Sequence, residues 1–326
     1  MRLWTATFGD TEQYVSLVFD SYFNEALSAK AGEKSLTSAL MGVPYEFKND
    51  RDTLRGLYLC GLATVPQGRR RGLMTGLLQE IDSRAREMGY DFTFLLPQSD
   101  ELRAYYRARG YKDGFYCSLN HYVTGHKFGP ENTGVAVERL EGAETKEIVN
   151  YLLEAQERSR NGSELFTLYH SRRDWEVVLR EASISNEPVF VALANGIVKG
   201  VLFMAEVNPD IHENVYVKKI LAENAEAADA MLSELGHRWP ERGVTVCSSP
   251  YDSAASAYSY GMVRIFNVHD ILEKIGCTDK KMFEGYTENE IIDVILRHPH
   301  YRGAEDELKE LLNYPRLELS AALLLE

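Results

Sequence analysis

The stretch "VPQGRRRGLMTGLL", Val65 to Leu78, decides the fold because a strand pattern changes into a helix pattern inside it. Three consecutive arginines and then Gly72 occupy the turn, in a chain whose formal net charge is −13. The start of a helix leaves backbone N–H groups unpaired and carries partial positive charge, and a glycine lets the backbone approach a ligand closely. Three interpretations are open: a phosphate cradle, a solvated basic turn, or a nucleic-acid patch.

The composition limits these alternatives. The chain has 326 residues, enough for two domains, and is 44% hydrophobic and 26% charged, which is typical of a soluble globular protein. Its 49 acidic residues outnumber its 36 basic ones, which disfavours nucleic acid or an anionic membrane as partner and favours a cationic substrate. The turn is neither a GK[ST] phosphate loop nor a GxGxxG dinucleotide motif.

Targeting and metal signals are missing from the sequence. The N-terminal residues lack the pattern of a signal peptide, and no uncharged apolar stretch approaches the roughly 20 residues that span a bilayer. The four cysteines form no CxxC pair and the histidines show no metal-binding spacing. We therefore expect a cytoplasmic protein without a metal and without a membrane partner.

The first 125 residues alternate helix and strand patterns. Apolar spacing predicts helices over 12–27 and 73–88, the second stopped by Gly89, and a short helix from an N-cap at Ser99 to Gly110. Strand patterns cover 35–47, 54–65 and 90–96, and residues 111–123 are predicted as strands around a turn.

A similar order of elements follows a polar, glycine-rich linker at 124–134. It comprises a helix near 144–159, a hairpin turning at Asn195-Gly196, a strand, a helix near 224–239 and a strand near 243–249. Residues 253–266 are predicted as a short helix, a glycine and a strand, mirroring 101–115. Residues 267–326 read as mostly helical.

Two motifs carry a family resemblance. Arg69-Arg70-Arg71-Gly72-Leu73-Met74 resembles the R/Q-x-x-G-x-G/A motif of the GNAT superfamily of N-acetyltransferases and matches it through Gly72, with Met74 where a small residue is usual. Downstream, "AYYRARGYK" is similar to the tyrosine helix of that family, with Tyr106 four residues before Gly110-Tyr111.

The "RRRGLM" form, the repeated order of elements and "YGMVRIFNVHDILEKI" look most like the Eis-like (enhanced intracellular survival) members of this superfamily. The resemblance implies an α/β fold, an α+β mixed sheet, with two tandem GNAT-like domains and a short helical end. The expected domains are 1–130, with an acetyl-CoA site, and 135–266, a degenerate copy. Residues 267–326 would be a short remnant of a sterol-carrier-like domain. The resemblance is specific over 60–111.

The resemblance also implies a reaction: an acetyl-CoA-dependent N-acetyltransferase that transfers acetyl directly to a primary amine in a ternary complex. We expect a cationic small-molecule amine and, because Eis-like relatives assemble, a homo-oligomer. The family places the pantetheine arm along a strand and the pyrophosphate on the turn, with backbone amides of the last two arginines and the glycine as ligands. The expected cofactor-binding residues are Leu62, Ala63, Thr64, Val65, Arg69, Arg70, Arg71, Gly72, Leu73 and Met74.

Tyr106 is the expected catalytic acid, which would protonate the departing thiolate. An unperturbed tyrosine pKa near 10 is close to a thiol's ~8.5. The alternatives are that Tyr106 only packs, or that Tyr105 is the acid. The base of Eis-like enzymes is the terminal carboxylate, which here implies Glu326, although only about sixty residues follow the second domain. A water chain, Glu25 or Asp20 remain alternatives.

The second domain has lost the motif. Opposite the arginine turn it offers "AENAEAADAM", whose acids Glu223, Glu226 and Asp229 would repel a pyrophosphate, and Ala257 stands at the position of Tyr106. The sequence therefore predicts one acetyl-CoA site per chain. An alternative function from a different class is a non-catalytic CoA-binding sensor or scaffold.

Overall fold

The structure is a computed structural model that describes residues 1–32, 35–130, 134–142, 146–205, 214–250, 256–277, 279–297 and 316–320. Its helices are α1 (Arg2–Phe8), α2 (Glu12–Tyr22), α3 (Leu73–Glu87), α4 (Asp100–Arg107), α5 (Lys146–Arg160), α6 (Arg172–Ile184), α7 (Ala225–Arg238), α8 (Val268–Lys274) and α9 (Glu288–Ile295). Short 3₁₀ turns cover Pro66–Gly68 and Lys280–Phe283.

The strands are β1 (Leu27–Ala31), β2 (Ser38–Lys48), β3 (Thr53–Thr64), β4 (Phe92–Leu95), β5 (Lys112–Tyr122), β6 (Ala136–Arg139), β7 (Phe166–Tyr169), β8 (Val189–Ala194), β9 (Ile197–Met204), β10 (Asn214–Ala222), β11 (Gly243–Ser248), β12 (Ala257–Ile265) and β13 (Leu319–Ser320).

The first compact unit comprises Met1–Tyr116, Gly162–Tyr169 and Ala257–Ser320. Its strands pair in the order β12-β4-β3-β2-β7-β13-β5, with β1 added to β2. Since β5 also pairs with β12, the hydrogen-bonded order closes on itself. The parallel pair in its middle, β3 with β4, is joined by α3, which is the usual way to connect parallel neighbours.

Two apolar clusters hold this unit together. Four fully buried phenylalanine rings pack at centroid distances of 5.2–5.7 Å, namely Phe47, Phe92, Phe94 and Phe115. The second cluster is the buried face of α3, with Leu77, Leu78, Ile81 and Ala85 against Leu57 and Leu59 of β3. This packing fixes the start of α3 relative to the end of β3, where the arginine turn lies.

The second unit is built, in the described part of the chain, from 117–161 and 170–256. Its strands pair in the order β5-β11-β10-β9-β8-β6, and β10 with β11 is parallel. Helices α5 and α6 pack on one apolar cluster and α7 on another. The β8–β9 hairpin turns at Asn195 and Gly196, both with positive φ, as the sequence predicts. The predicted α/β class with a mixed sheet is confirmed.

Three predicted elements were wrong. The helix from 12 ends at Tyr22, because Leu27–Ala31 pairs with β2 instead. Residues 112–122 form one strand rather than two around a turn. Residues 257–260 are strand and not helix, since β12 alternates aromatic and small residues and its continuation pairs with β4. Tertiary pairing overrides the local pattern in each case.

The C-terminal residues follow the prediction in α8 and α9, but Leu319–Ser320 is a short strand. The compact units are also discontinuous in sequence: β7 and β12, which fall within 135–266, pair with strands β2 and β4 of the first unit. The predicted boundaries at 130, 135 and 266 stay a prediction.

Candidate active site

The arginine turn has an unusual backbone. After β3 ends at Thr64, the 3₁₀ turn Pro66–Gly68 leads to Arg70 at φ 60° and Gly72 at φ 77°, and α3 starts at Leu73. Glycine adopts positive φ freely, whereas an arginine there costs about 1–2 kcal/mol. Such strain is concentrated at functional sites, because only the surrounding structure keeps it in place.

Consecutive backbone N–H groups are free at this turn. No N–H from Arg70 to Thr75 donates a hydrogen bond to any described part of the chain, and the series of helical bonds begins with Gly76 N–H to Gly72 O, at 3.0 Å. No side chain caps the helix at Gly72. Unpaired N–H groups at a helix start bind anions well, so this turn fits a pyrophosphate.

The side chains around the turn add positive charge and leave the space open. Arg69, Arg70 and Arg71 are exposed; Arg69 Nε donates to Thr64 O at 3.3 Å, and neither of the others forms an ion pair within the described ranges. A Cβ on Gly72 would meet no atom within 4 Å. Met74 packs into the α3 cluster, so the residue that departs from the family motif does not fill the turn.

Strand β3 separates from β4 just before the turn. The parallel pairing covers Gly56–Tyr58 with Phe92–Phe94 and then ends, while β3 continues to Thr64 beside β2 alone. A bulge at Gly61-Leu62 shifts the β2–β3 register between Cys60 and Ala63, and Gly61 has φ 60°. The edge of β3 facing away from β2, which includes Leu62, Ala63 and Thr64, therefore has no strand partner among the described residues.

Tyr106 lies buried on α4 with an available hydroxyl. The helix begins at Ser99, whose side chain accepts from Leu102 N–H at 3.2 Å as predicted. Tyr106 is 7% exposed and packs edge-to-face on Tyr111, but its hydroxyl makes no hydrogen bond within the described ranges. Burial raises the pKa of Tyr106 to about 12, so the phenol is protonated throughout the neutral range.

The neighbouring Tyr105 is held in a different way. Its hydroxyl lies 3.3 Å from Thr75 Oγ1, and the Arg109 guanidinium stacks 3.4 Å from the centroid of its ring. Arg109 also donates to Thr75 Oγ1 and to Tyr105 O. Tyr105 thus ties α4 to the first turn of α3, which distinguishes it from Tyr106.

Two carboxylates fix the helices around the site, the buried Asp82 and the half-buried Asp113, and the sequence predicted neither. Asp82 on α3 accepts hydrogen bonds from Thr93, Tyr111 and Arg264 at 2.6–3.2 Å, and burial raises its pKa. Asp113 accepts from Arg103, Arg107 and Ser259, which anchors α4 to β5 and β12. The sequence could have indicated Asp82, because it is an acidic residue among the apolar positions of α3. No local pattern indicates which residues pair with Asp113.

An apolar cavity of about 250 Å³ adjoins the β3 bulge. It is bounded by α1, α2, β1 and β2 and reaches Gly61 and Ala63, with Trp4, Phe19 and Phe23 among its lining residues. Sequence analysis missed this feature because α1 was not predicted, although Trp4 and Phe8 stand four residues apart, on one face of a helix.

The expected bases are not at the cavity. Asp20 and Glu25 are exposed and do not line it, and Glu326 lies outside the described residues. Within the described ranges, no three His, Cys, Asp or Glu side chains are placed to hold a metal ion. No described helix has both the length and the apolar character needed to cross a bilayer.

The second unit has a different helix start at the corresponding place. The side chain of Asn224 caps α7 by accepting from Ala227 N–H at 2.9 Å, and Glu223 pairs with Lys199 at 2.7 Å. The Lys199 hydrogen bond lowers the pKa of Glu223, which keeps the carboxylate charged. Ala257 lies on a strand. A capped, acidic helix start does not suit an anion.

Comparison with known proteins agrees with this architecture. Residues 1–113 match the model of the acetyltransferase (GNAT) domain. A probable N-acyltransferase from Enterococcus faecalis V583 is 17% identical with a TM-score of 0.67, over 84% of this chain and 71% of its own. A GCN5-related N-acetyltransferase from Anabaena variabilis is 17% identical with a TM-score of 0.63, over 84% and 71%. No curated protein sequence matches the chain.

Eis1 from Mycobacterium abscessus is also similar in fold, at 13% identity and a TM-score of 0.55, over 80% of this chain and 72% of its own. The fold with two GNAT-like domains is confirmed, since these structures share it over 80–84% of this chain. The match of residues 1–113 to the acetyltransferase domain supports acyl transfer in general terms. Membership of the Eis-like group stays a prediction.

Proposed function

We propose that the first unit is an N-acetyltransferase that moves the acetyl group of acetyl-CoA directly to a primary amine in a ternary complex. The observation that carries this proposal is the series of N–H groups from Arg70 to Thr75, which have no partner in the described part of the chain. They lie beside exposed arginines, at the end of a strand whose outer edge pairs with no described strand. A pyrophosphate-containing thioester needs an anion site and an extended amide-pairing site next to each other, and this arrangement provides both.

Each cofactor-binding residue has a role in the proposal. The free edge of β3 at Leu62, Ala63 and Thr64 would pair with the pantetheine amides. Val65 would contact the arm without pairing, because its N–H donates to Thr37 O and its C=O accepts from Gly68 N–H. The amides of Arg70, Arg71, Gly72, Leu73 and Met74 would bind the pyrophosphate, with the Arg69 side chain close to them. Acetyl-CoA supplies an activated acetyl group as a thioester.

Tyr106 is the proposed acid, and its pKa defines how it acts. Complete proton transfer from a phenol with a pKa of about 12 to a free thiolate of pKa ~8.5 is unfavourable by about 5 kcal/mol, against about 2 kcal/mol for an unperturbed tyrosine. Tyr106 therefore acts chiefly by donating a hydrogen bond to sulfur as negative charge develops, which needs no complete transfer.

A cationic amine must lose a proton before its nitrogen can attack, so a cationic acceptor requires a base. Glu326 as base rests on the Eis-like resemblance. The cationic acceptor, the cytoplasmic setting and the homo-oligomer likewise remain proposals from sequence. Because no described carboxylate lines the cavity, the sensor alternative, which binds acetyl-CoA without turnover, keeps a specific observation in its favour.

A turnover assay tests the proposal. The full chain is incubated with acetyl-CoA and a panel of aminoglycosides, polyamines, lysine peptides and arylamines, and both CoA release and the mass of the acetylated amine are measured. We expect amine-dependent CoA release with stoichiometric N-acetyl product. Acetyl-CoA binding without turnover on any amine would favour the sensor, and absence of binding would contradict both functions.

A further inference from the structure

The cavity beside the β3 bulge is continuous with the proposed cofactor strand. Gly61 and Ala63, which belong to the strand that would carry the pantetheine arm, also line the cavity. Its opposite wall is aromatic, with Trp4 from α1 and Phe19 and Phe23 next to each other on one face of α2 and its end. A group bound in this cavity would lie next to the end of the pantetheine arm.

Trp4 limits the space beside β3 at Gly61. A Cβ on Gly61 would lie 2.5 Å from Trp4 Cε3, so the indole ring rests against the glycine backbone. Trp4 is 9% exposed, and its Nε1 donates to Asp10 Oδ2 at 2.6 Å, which holds the ring in place. The indole therefore fills the space over this face of the strand and leaves no room at Gly61 for a long acyl chain. The cavity is therefore better suited to the acceptor.

The rim gives an acceptor access from solvent. Phe23 is 51% exposed and Leu36 is 44% exposed, and both line the cavity, so solvent reaches it on this side. An apolar cavity of about 150 Å³ accommodates a benzene ring, so about 250 Å³ accommodates a substituted ring with its amine.

The lining defines the charge of that amine. None of the described lining residues is Asp, Glu or His, and the one charged side chain among them is the exposed Lys30. An ammonium group would lose hydration there without a carboxylate among the described lining residues to pair with, and none of these residues offers a carboxylate or imidazole base. An amine that is already neutral at pH 7 avoids both costs.

We propose that the acceptor is an aromatic primary amine, whose ring occupies this cavity and whose weakly basic nitrogen attacks without a protein base. This inference rests on the proposed acetyltransferase function. The nitrogen forms the bond to the acetyl carbon as the bond to sulfur breaks, and the proton lost from nitrogen goes to solvent water. It differs from the cationic acceptor that the net charge of the chain suggests, because net charge does not report on one cavity.

Two ring-matched amines test the proposal: 4-methylaniline, which is neutral at pH 7, and 4-methylbenzylamine, which is cationic, with 1,5-diaminopentane as a dication. At pH 7 we expect kcat/KM to be at least tenfold higher for 4-methylaniline than for either cationic amine. For 4-methylaniline it should stay nearly constant from pH 6.5 to 8.5. Phe23→Ala should raise the KM for the aniline about fivefold to tenfold without changing acetyl-CoA affinity.

Phe8→Ala is the matched control. Phe8 is 40% exposed and contacts Trp4 at a centroid distance of 6.0 Å, as Phe19 does, but it does not line the cavity. Its KM should equal that of the wild type. Equal effects of the two substitutions on KM would overturn the inference. It would also be overturned if Phe23→Ala changed the mass of the assembly in sedimentation but left KM unchanged, because a second copy of the chain would then cover this face.

The outcomes separate the two levels of the proposal. A higher kcat/KM for the benzylamine or the diamine would overturn the aromatic acceptor while leaving the acetyltransferase in place. CoA release from no amine at all, despite bound acetyl-CoA, would overturn the acetyltransferase itself.

Discussion

Reversing the charge of the arginine turn should weaken acetyl-CoA binding by about tenfold. In the variant Arg70→Glu/Arg71→Glu, the local charge changes by four units against the two negative charges of a pyrophosphate. Each pair of unit charges about 8 Å apart in water interacts by about 0.5 kcal/mol, which gives about 4 kcal/mol before screening. At 0.15 M salt one Debye length separates them, which leaves about 1.5 kcal/mol. Both arginines are exposed, so the fold should tolerate the change.

Calorimetric titration with acetyl-CoA at two salt concentrations measures this effect. The loss of affinity should be larger at low salt, because screening is weaker there. Arg51→Glu is the control: it precedes the twelve-residue strand β3, about 40 Å along the chain direction from the turn. Unchanged affinity in the double variant would refute the phosphate cradle. An equal loss of affinity in Arg51→Glu would mean that the effect comes from the net charge of the chain and not from the arginine turn.

Three further predictions concern the bulge, the support of α4 and the number of sites. Gly61→Ala should lose about 2–4 kcal/mol of unfolding free energy in urea, because the alanine would combine positive φ with a Cβ against Trp4. The control Gly76→Ala, in open space on α3, should gain up to about 1 kcal/mol. Equal effects of the two substitutions would contradict the bulge geometry. Burial raises the pKa of Asp113, but hydrogen bonds from Ser259 and Arg107 and the charge of Arg103 outweigh it and lower the pKa overall. The stabilisation by Asp113 is therefore present above the pKa of about 3.9 that an aspartate has in the unfolded chain, and it is lost as the pH falls below that value. The difference in unfolding free energy between wild type and Asp113→Asn should shrink from pH 5 to pH 3. A difference that does not depend on pH would argue against this role. Titration should give one acetyl-CoA per chain, and a value of two would contradict the loss of the second site.

The local sequence predicted the elements around the cofactor turn because their signals are local. Apolar spacing and Gly89 define α3, Ser99 caps α4, and Asn195-Gly196 turns the hairpin; all three are as expected. These features depend on neighbours within four residues, which a sequence displays directly.

Features that depend on distant partners could not be predicted in the same way. Residues 257–260 lie on a strand because β12 pairs with β4. The orientation of Met74 into the core, the Asp113 network and the aromatic cavity likewise arise from tertiary contacts. Each joins residues that are far apart in the chain, so neither spacing nor propensity reveals it.

The most direct test of the central claim compares kcat for Tyr106→Phe and Tyr105→Phe at saturating acetyl-CoA. Loss of the Tyr106 hydroxyl should lower kcat by about 10²-fold with little change in acetyl-CoA affinity, because the hydroxyl acts on the departing sulfur. The Tyr105→Phe variant removes only a 3.3 Å contact with Thr75 and should keep most of its turnover. Nearly full kcat in Tyr106→Phe would contradict the account.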